Sequence, residues 1–290
     1  MDNIELLSEF ALFLREKKEE GKKIIAFISH DNIPEELLDA AGFVPLRLIF
    51  AGNDDLMDAS HDYLPASTCA FAQSCIGLYS LKPSQYNFLD LVDYFIVSNH
   101  CVSDICASEI ISKYFNIKRL DFYLSYTKNE NSLRYFKLEL KNLIKKLEEI
   151  QGSTIEKKAL LDSIKKYNKF KNILKKINEL PIKGSLKLKL LHKAMLFGPE
   201  IVSDLEQEYS NLSQNLDESL ENSKNVLLTG CSIFLNDYLM DMIEEGGGNI
   251  TFFDTWIGFN YYSQTINDDQ IISSKDPIDL FTQRFKDNIY

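Results

Sequence analysis

Three of the five cysteines stand where a thiol could bind a metal or react with a substrate. Cys101 follows the apolar run 93–99 and Cys231 follows the apolar run 226–230, so each is expected at a strand end and near the start of the next helix. Cys69 follows a proline break and is also expected at a helix start. Because the positive end of a helix stabilises a thiolate, these placements predict a redox or iron–sulfur site assembled by folding.

The other two cysteines, Cys75 and Cys106, are predicted to be buried apolar thiols. Cys75 lies six positions after Cys69, and Cys106 lies five positions after Cys101. On a helix both spacings point the two side chains to different faces, so neither pair could chelate one metal. Any one cysteine alone is best interpreted as a small buried hydrophobe, and it is three similar placements that favour a site. Three thiolates would leave one position open on a four-iron cluster, where a substrate could bind.

Few other side chains are candidates for chemistry. His100 adjoins Cys101 and could donate a hydrogen bond to a cluster, an oxyanion or a carbonyl, although a structural role is an equal alternative. His30 ends the first predicted strand at the same edge. Asp254 and Trp256 follow the last predicted strand and could line a pocket, or could be a turn residue and a core indole. The histidines form no zinc motif, and neither common glycine-rich phosphate loop is present.

Alternating strands and helices indicate an α/β fold of two parallel-sheet, Rossmann/flavodoxin-like lobes linked by a helical segment. We expect an N-terminal helix and α/β lobe over residues 1–126, a helical bridge over 127–222 and a short α/β lobe over 223–290. Ser67 is the predicted N-cap of the helix that follows Cys69. The predicted strands are 23–29, 44–50, 94–98, 119–125, 225–230 and 250–253, and helices are predicted over 233–245 and 277–288 in the last lobe.

Charge and composition exclude several classes of partner. A net charge of −11 argues against a nucleic-acid partner. No apolar run has the length of a membrane span, and the N-terminus lacks a basic and then apolar signal pattern, so no membrane association and a cytoplasmic location are expected. An odd number of cysteines in such a chain favours free thiols or metal ligands over disulfides.

Several segments together resemble one known family. The 2-hydroxyacyl-CoA dehydratase D-component family, which includes benzoyl-CoA reductase subunits and double-cubane-cluster proteins, has segments similar to the two cysteine contexts here, 69–77 and 93–101. The Pro-Glu-Glu-Leu block within 33–47 is similar as well. Looser likenesses are found at 21–27, 229–231, 243–247, 253–254 and Gly258.

This resemblance implies two α/β lobes with a [4Fe–4S] cluster in the cleft between them. By position, Cys69 and Cys101 are expected to be cluster ligands, and Cys231 matches a cysteine of only some branches, the double-cubane proteins among them. Enzymes of the family take one electron from an ATP-hydrolysing activator and pass it to an acyl-CoA thioester, whose ketyl radical lets the 2-hydroxyl leave. The implied activity is that of a lyase or related reductase, working with a paralogous second subunit or as a homodimer.

Other functions remain open at this point. Relatives continue with further strands where this chain has a single terminal helix, so it resembles a form shortened at its C-terminus, and a ligand expected there would be absent. One alternative is therefore a non-catalytic paralogue that binds a cluster or serves as a scaffold subunit. Another is a thiol-based redox protein that uses Cys101 or Cys231 as its nucleophile.

Overall fold

The fold comes from a computed structural model, which describes residues 3–28, 33–50, 54–127, 129–215, 220, 223–235, 237–274 and 276–288. The chain divides into two compact units, which are described separately. The first contains Met1–Lys165 and Ile266–Tyr290, and the second contains Lys166–Thr265. The predicted α/β class with parallel sheets is confirmed, while the division into three segments stays a prediction.

A parallel four-stranded sheet lies at the centre of the first unit. Its strands, in the order β2-β1-β3-β4, are β1 (Ile24–Ile28), β2 (Val44–Leu48), β3 (Val92–Val97) and β4 (Lys118–Asp121). Every residue of β1 is buried, as its continuous apolar run predicts for a strand covered on both faces. Strand β2 lies on one side of β1, and β3 and β4 lie on the other side. Open α/β sheets bind ligands at the strand ends where the chain changes sides in this way.

Helices cover this sheet. They are α1 (Asn3–Glu19), α2 (Glu35–Ala40), α3 (Asp54–Ala59), α4 (Ala70–Leu81), α5 (Val102–Phe115), α6 (Glu130–Gln151), α12 (Asp268–Ser273) and α13 (Pro277–Asn288), with a 3-10 helix at Ser84–Leu91. The side chain of Asn129 caps α6 by accepting a hydrogen bond from the Ser132 amide. Apolar residues three or four positions apart then bury one face of α6: Phe136, Leu140, Leu143 and Leu147.

Two buried carboxylates of the Pro-Glu-Glu-Leu block hold α2 in place. Arg47 Nε donates to Glu35 Oε1 at 3.0 Å, and Arg284 Nη2 donates to Glu36 Oε2 at 3.0 Å. Burying a carboxylate without a partner costs free energy, so each of these glutamates needs its arginine. The second pair joins α2 to α13, although its two residues are 248 positions apart in the chain.

The second unit is mostly helical and carries a small parallel sheet. Helix α7 (Lys157–Glu179) continues into this unit from the first. The other elements are α8 (Gly184–Phe197), a 3-10 helix at Gly198–Ile201, α9 (Val202–Gln214), β5 (Lys224–Thr229), α10 (Leu239–Glu245), β6 (Gly248–Asp254) and α11 (Phe259–Tyr262). Strands β5 and β6 pair with each other in parallel. No residue of β5 is fully buried, and Leu227 is 61% exposed.

The helix predicted over 233–245 is wrong in its first half, because α10 begins only at Leu239. The preceding segment makes tertiary hydrogen bonds instead. Ser232 Oγ accepts from the Ile257 amide at 2.8 Å, and the Ile233 carbonyl accepts from His192 Nε2 at 2.9 Å. With that carbonyl bonded to a side chain, residues 232–235 follow an irregular path in spite of their apolar spacing.

Candidate functional site

Cys69 is the N-cap residue of α4, which begins at Ala70. The expected position at a helix start is confirmed, but the prediction of Ser67 as the N-cap is wrong by two residues. The first turn of α4 also holds the loop before it, because Gln73 Nε2 donates to the Pro65 carbonyl at 3.1 Å. The thiol of Cys69 is exposed, so it is a surface group at the positive end of a helix.

Cys101 is the N-cap residue of α5 and follows β3 by a short loop. The loop is fixed by Asn99, whose Nδ2 donates to the Leu124 carbonyl at 2.9 Å. The Leu124 amide donates back to Asn99 Oδ1 at 2.6 Å. This pair of bonds ties the loop after β3 to the chain after β4, and the thiol that follows is half-buried. The expected position, at a strand end and a helix start, is confirmed.

Cys75 shows that the starts of α4 and α5 lie in the same part of the first unit. Burial raises the pKa of its thiol well above the ordinary value, and the charges of Asp104 and Cys69 add to the rise. Asp104 is a buried residue in the first turn of α5, and Cys69 precedes the first turn of α4. Cys75 is therefore a protonated, buried neighbour of both helix starts, and its prediction as a buried thiol is confirmed.

The same prediction is wrong for Cys106, whose side chain is exposed. Helix α5 turns a face formed by Asp104, Ala107, Ser108 and Ile111 towards the core. Position 106 lies outside that stripe, since residues of one face recur every three or four positions. Apolar character alone did not reveal which face of α5 is covered.

His100 lies beside Cys101 with an exposed side chain. Its ring packs edge-on against Tyr126, with 5.4 Å between ring centroids, and its amide donates to Ser98 Oγ at 3.4 Å. The imidazole of His100 therefore lies exposed next to the start of α5. The other histidine considered, His30, lies outside the described residues.

Cys231 belongs to the second unit and is exposed. It follows β5 and Gly230, as expected, but α10 begins eight positions later, so the expected helix start at Cys231 is wrong. Near it, Asp254 Oδ2 accepts from Thr229 Oγ1 at 3.2 Å. The indole of Trp256 packs against Phe234, with ring centroids 6.1 Å apart. This thiol therefore lacks the helix dipole that Cys69 and Cys101 have.

Within the part of the chain that the structure describes, no three His, Cys, Asp or Glu side chains cluster as a metal site. The first unit offers two thiols, Cys69 and Cys101, each at the N-cap of a helix and without a capping hydrogen bond from its side chain. Thiolates at such positions have the donor chemistry that iron–sulfur clusters require. These two residues fit as ligands, and a complete ligand set needs at least one more.

Sequence reasoning missed the residues that position the thiols. Gly77 is the clearest: a Cβ atom there would lie 2.0 Å from the Leu56 carbonyl oxygen. Only glycine lets α4 approach the backbone of α3 so closely. Asn99 and Gln73 were also missed, although a short polar residue directly after a strand is a recognisable signal for a loop brace.

Among the residues described here, no helix is both long enough and apolar enough to cross a bilayer.

Comparison with known proteins gives two findings. The family model of the 2-hydroxyglutaryl-CoA dehydratase D-component matches residues 32–289. A curated relative from Escherichia coli (strain K12), named "Putative dehydratase subunit YjiM", is 25% identical over 246 residues, which cover 81% of this chain and 63% of that relative. Both cysteine contexts of the first unit, and Cys231 in the second, lie inside the family match. The chain belongs to the 2-hydroxyglutaryl-CoA dehydratase D-component family.

Proposed function

We propose that this protein is the iron–sulfur subunit of a 2-hydroxyacyl-CoA dehydratase or a related benzoyl-CoA reductase-type enzyme. The observation that carries the proposal is the pair of N-cap cysteines, Cys69 and Cys101, at two helix starts of one unit. Family membership supports a dehydratase-type subunit. The acyl-CoA substrate, the ATP-hydrolysing activator and a paralogous or identical partner subunit are parts of the same proposal.

In this proposal Cys69 and Cys101 hold a [4Fe–4S] cluster, and Cys231 is the third ligand. When bound, the cluster supplies one-electron transfer and one iron position without a protein ligand. The residues of the first unit position and stabilise the two thiolates. The N-terminal ends of α4 and α5 complement the negative charge of the two thiolates. Asn99 fixes the backbone that presents Cys101, and the exposed His100 side chain lies beside it.

A second candidate is a non-catalytic paralogue that binds a cluster or serves as a scaffold subunit. The observation that favours it is the position of Cys231, the proposed third ligand, which is exposed and lies eight positions before α10. The two candidates share the cysteine site and differ in turnover. A thiol-based redox function would rest on Cys101 at its helix start, because Cys231 lies on an irregular segment away from one.

The test is purification under strict anoxia, with iron and sulfide assays and an electron paramagnetic resonance spectrum of the reduced protein. We expect a brown protein with about four irons per chain, as one four-iron cluster requires. Cys69→Ala and Cys101→Ala should each abolish the colour and the spectrum. Cys106→Ala, which removes an exposed thiol from the helix that Cys101 caps, is the matched control and should retain both. A colourless wild-type protein after reconstitution with iron and sulfide would refute the proposal.

Two further measurements separate the parts of the proposal. Cys231→Ala should lose the cluster; if its iron content and spectrum stay those of wild type, the third ligand is elsewhere while Cys69 and Cys101 still stand. Turnover of a 2-hydroxyacyl-CoA with an activator, ATP and a strong reductant then distinguishes the candidates. A stable cluster without turnover, in the presence of a co-expressed paralogous subunit, would favour the scaffold.

A further inference from the structure

Asp104 is a fully buried carboxylate in the first turn of α5. Its relative exposure is 0%, and both of its carboxylate oxygens are shielded from solvent. Taking a charge out of water costs free energy, and the positive end of α5 offsets a part of that cost. The start of this helix therefore carries a fixed negative charge in the interior of the first unit.

The position of Asp104 brings this charge close to both helix starts that carry a candidate ligand. Cys101 is the N-cap residue of α5 and Asp104 is the third residue of the helix, and a side chain at the third position reaches back towards the N-cap residue. Helix α4 packs against α5. The charges of Asp104 and Cys69 both contribute to the raised pKa of the Cys75 thiol on α4. Asp104 therefore lies within electrostatic reach of the start of α4 as well.

The surroundings of Asp104 preserve the effect of its charge. Helices α4 and α5 lie wholly within the described part of the chain, and Asp104 is the one charged side chain among their buried residues. On α5 the others are Ala107, Ser108 and Ile111. Charges interact more strongly in a protein interior than in water, because the dielectric constant there is lower. A charge at this position therefore acts over a longer distance than one on the exposed side of α5.

We propose that Asp104 lowers the reduction potential of the cluster that Cys69 and Cys101 are proposed to hold. This inference rests on the proposed function and assigns a task to a residue that binds no iron. The net charge around an iron–sulfur cluster is one of the factors that set its potential, and a neighbouring carboxylate disfavours the addition of an electron. The carboxylate thereby makes the reduced site a stronger one-electron donor to a substrate, and it makes a strong reductant necessary.

A purely structural role for Asp104 is the competing explanation. A carboxylate in the first turn stabilises its helix through the helix dipole, and it does so on an exposed face as well as on a buried one. Such a role affects the free energy of unfolding, and it leaves the potential of a bound cluster where it is. The reduction potential is therefore the measurement that separates the two explanations.

The test is an anoxic redox titration of the reconstituted protein, followed by electron paramagnetic resonance. Asp104→Asn removes the charge and keeps the shape of the side chain. One charge about 10 Å away, at an effective dielectric constant of about 20, changes an equilibrium constant roughly tenfold. We therefore expect reduction to become about tenfold more favourable, which is a positive shift of about 59 mV for a one-electron couple.

Glu109→Gln is the matched control for Asp104→Asn. It also replaces a carboxylate of α5 by an amide, but the side chain of Glu109 is exposed. Water and salt screen a charge at that position, so this variant should titrate as wild type does. A shift as large in Glu109→Gln as in Asp104→Asn would overturn the inference, because burial of the charge would then be irrelevant.

Ser103→Asp provides a test of opposite sign that leaves Asp104 in place. Ser103 is half-buried in the same turn of α5, where a carboxylate suits the positive helix end, and the added charge should lower the potential. This variant decides the matter if Asp104→Asn does not fold or does not retain a cluster. A potential that stays at the wild-type value in either cluster-bearing variant would overturn this inference and leave Cys69 and Cys101 as ligands. A colourless wild-type protein would refute the proposed function, and this inference with it.

Discussion

The loops after β3 and after β5 occupy similar places in their sheets and have different structures. Each follows an apolar parallel strand and leads to a cysteine, Cys101 in the first unit and Cys231 in the second. After β3, Asn99 bonds twice to Leu124, and α5 begins directly at the cysteine. After β5, the thiol is exposed and the next helix begins at Leu239.

The difference shows what a strand end does and does not provide. A parallel strand delivers its C-terminal residue to the ligand-binding edge of a sheet. It does not fix the next side chain. That requires a partner across the loop and a helix that starts at the right residue. For metal ligation, a braced thiol loses less conformational freedom on binding than an unbraced one.

The largest expected effect is on thiol reactivity in the metal-free, reduced protein. Cys231 is exposed and should be alkylated rapidly, whereas Cys75 is fully buried with a raised pKa. Reaction at Cys75 requires local opening at about 4 kcal/mol, so its rate should be about a thousandfold lower. Mass spectrometry of iodoacetamide-labelled peptides at pH 8 measures both rates. Comparable rates would mean that α4 and α5 do not cover Cys75.

The second prediction concerns the segment after Cys231, which His192 holds through the Ile233 carbonyl. Burial lowers the pKa of His192 from 6.5 to about 4, against a smaller opposing effect of that hydrogen bond. The unfolded chain therefore binds a proton between pH 6.5 and 4 that the folded chain does not. The stability from this group is complete above pH 6.5, and about 3 kcal/mol of it is lost as the pH falls towards 4.

His192→Gln tests this because an amide nitrogen can still donate to Ile233. Carboxylates that titrate in the same range are common to both proteins, so their effect cancels in the comparison. Urea unfolding at pH 4.5 and pH 7 should show a larger loss for wild type than for the variant. Equal losses would mean that the imidazole is protonated in the folded state.

The third prediction concerns the brace after β3. Asn99→Leu keeps the number and branching of the side-chain heavy atoms but removes both hydrogen bonds to the backbone of Leu124, a buried residue. Leaving those two groups unsatisfied should cost about 2 kcal/mol in the free energy of unfolding. Amide exchange at Leu124 should accelerate in the same variant, and a rate unchanged from wild type would show that the brace is dispensable.

The smallest effect is expected at the equivalent place after β5. Thr229 makes one side-chain bond to Asp254 on an exposed surface. Thr229→Val should change the free energy of unfolding by less than about 0.5 kcal/mol, which is typical of surface substitutions. Measured under the same urea conditions as Asn99→Leu, a larger change here would remove the contrast between the two loops.

Much of the fold could be predicted, because strands buried on both faces leave a clear apolar signal. Each strand within the described residues overlaps a predicted one, although β4 ends at Asp121 instead of residue 125, and Cys69 and Cys101 stand at helix starts. The first half of the helix predicted after Cys231 could not be corrected from sequence. Its apolar spacing is helical, whereas in the structure Ser232 Oγ and the Ile233 carbonyl make tertiary hydrogen bonds that have no local sequence signal.

Other features depend on contacts between distant residues and leave no local signal. The exposed face of α5 at Cys106 depends on which elements pack around that helix. The ion pair of Glu36 and Arg284 holds α13 in the first unit. Two residues so far apart in the chain cannot be recognised as a pair from the sequence. The exposed strand β5 has the composition of a buried one, so its surroundings could not be inferred from its residues.

The close approach of α4 to α3 at Gly77 limits which sequences can carry the Cys69 site. Any side chain there would push α4 away from Leu56 and move its first turn together with the thiol. In a mutagenesis screen for binding of the proposed cluster, Gly77 should tolerate substitution as poorly as a ligand, although it has no side chain to bind iron. Gly77 would therefore be found among the positions that tolerate no substitution, although a list of possible metal ligands does not include it.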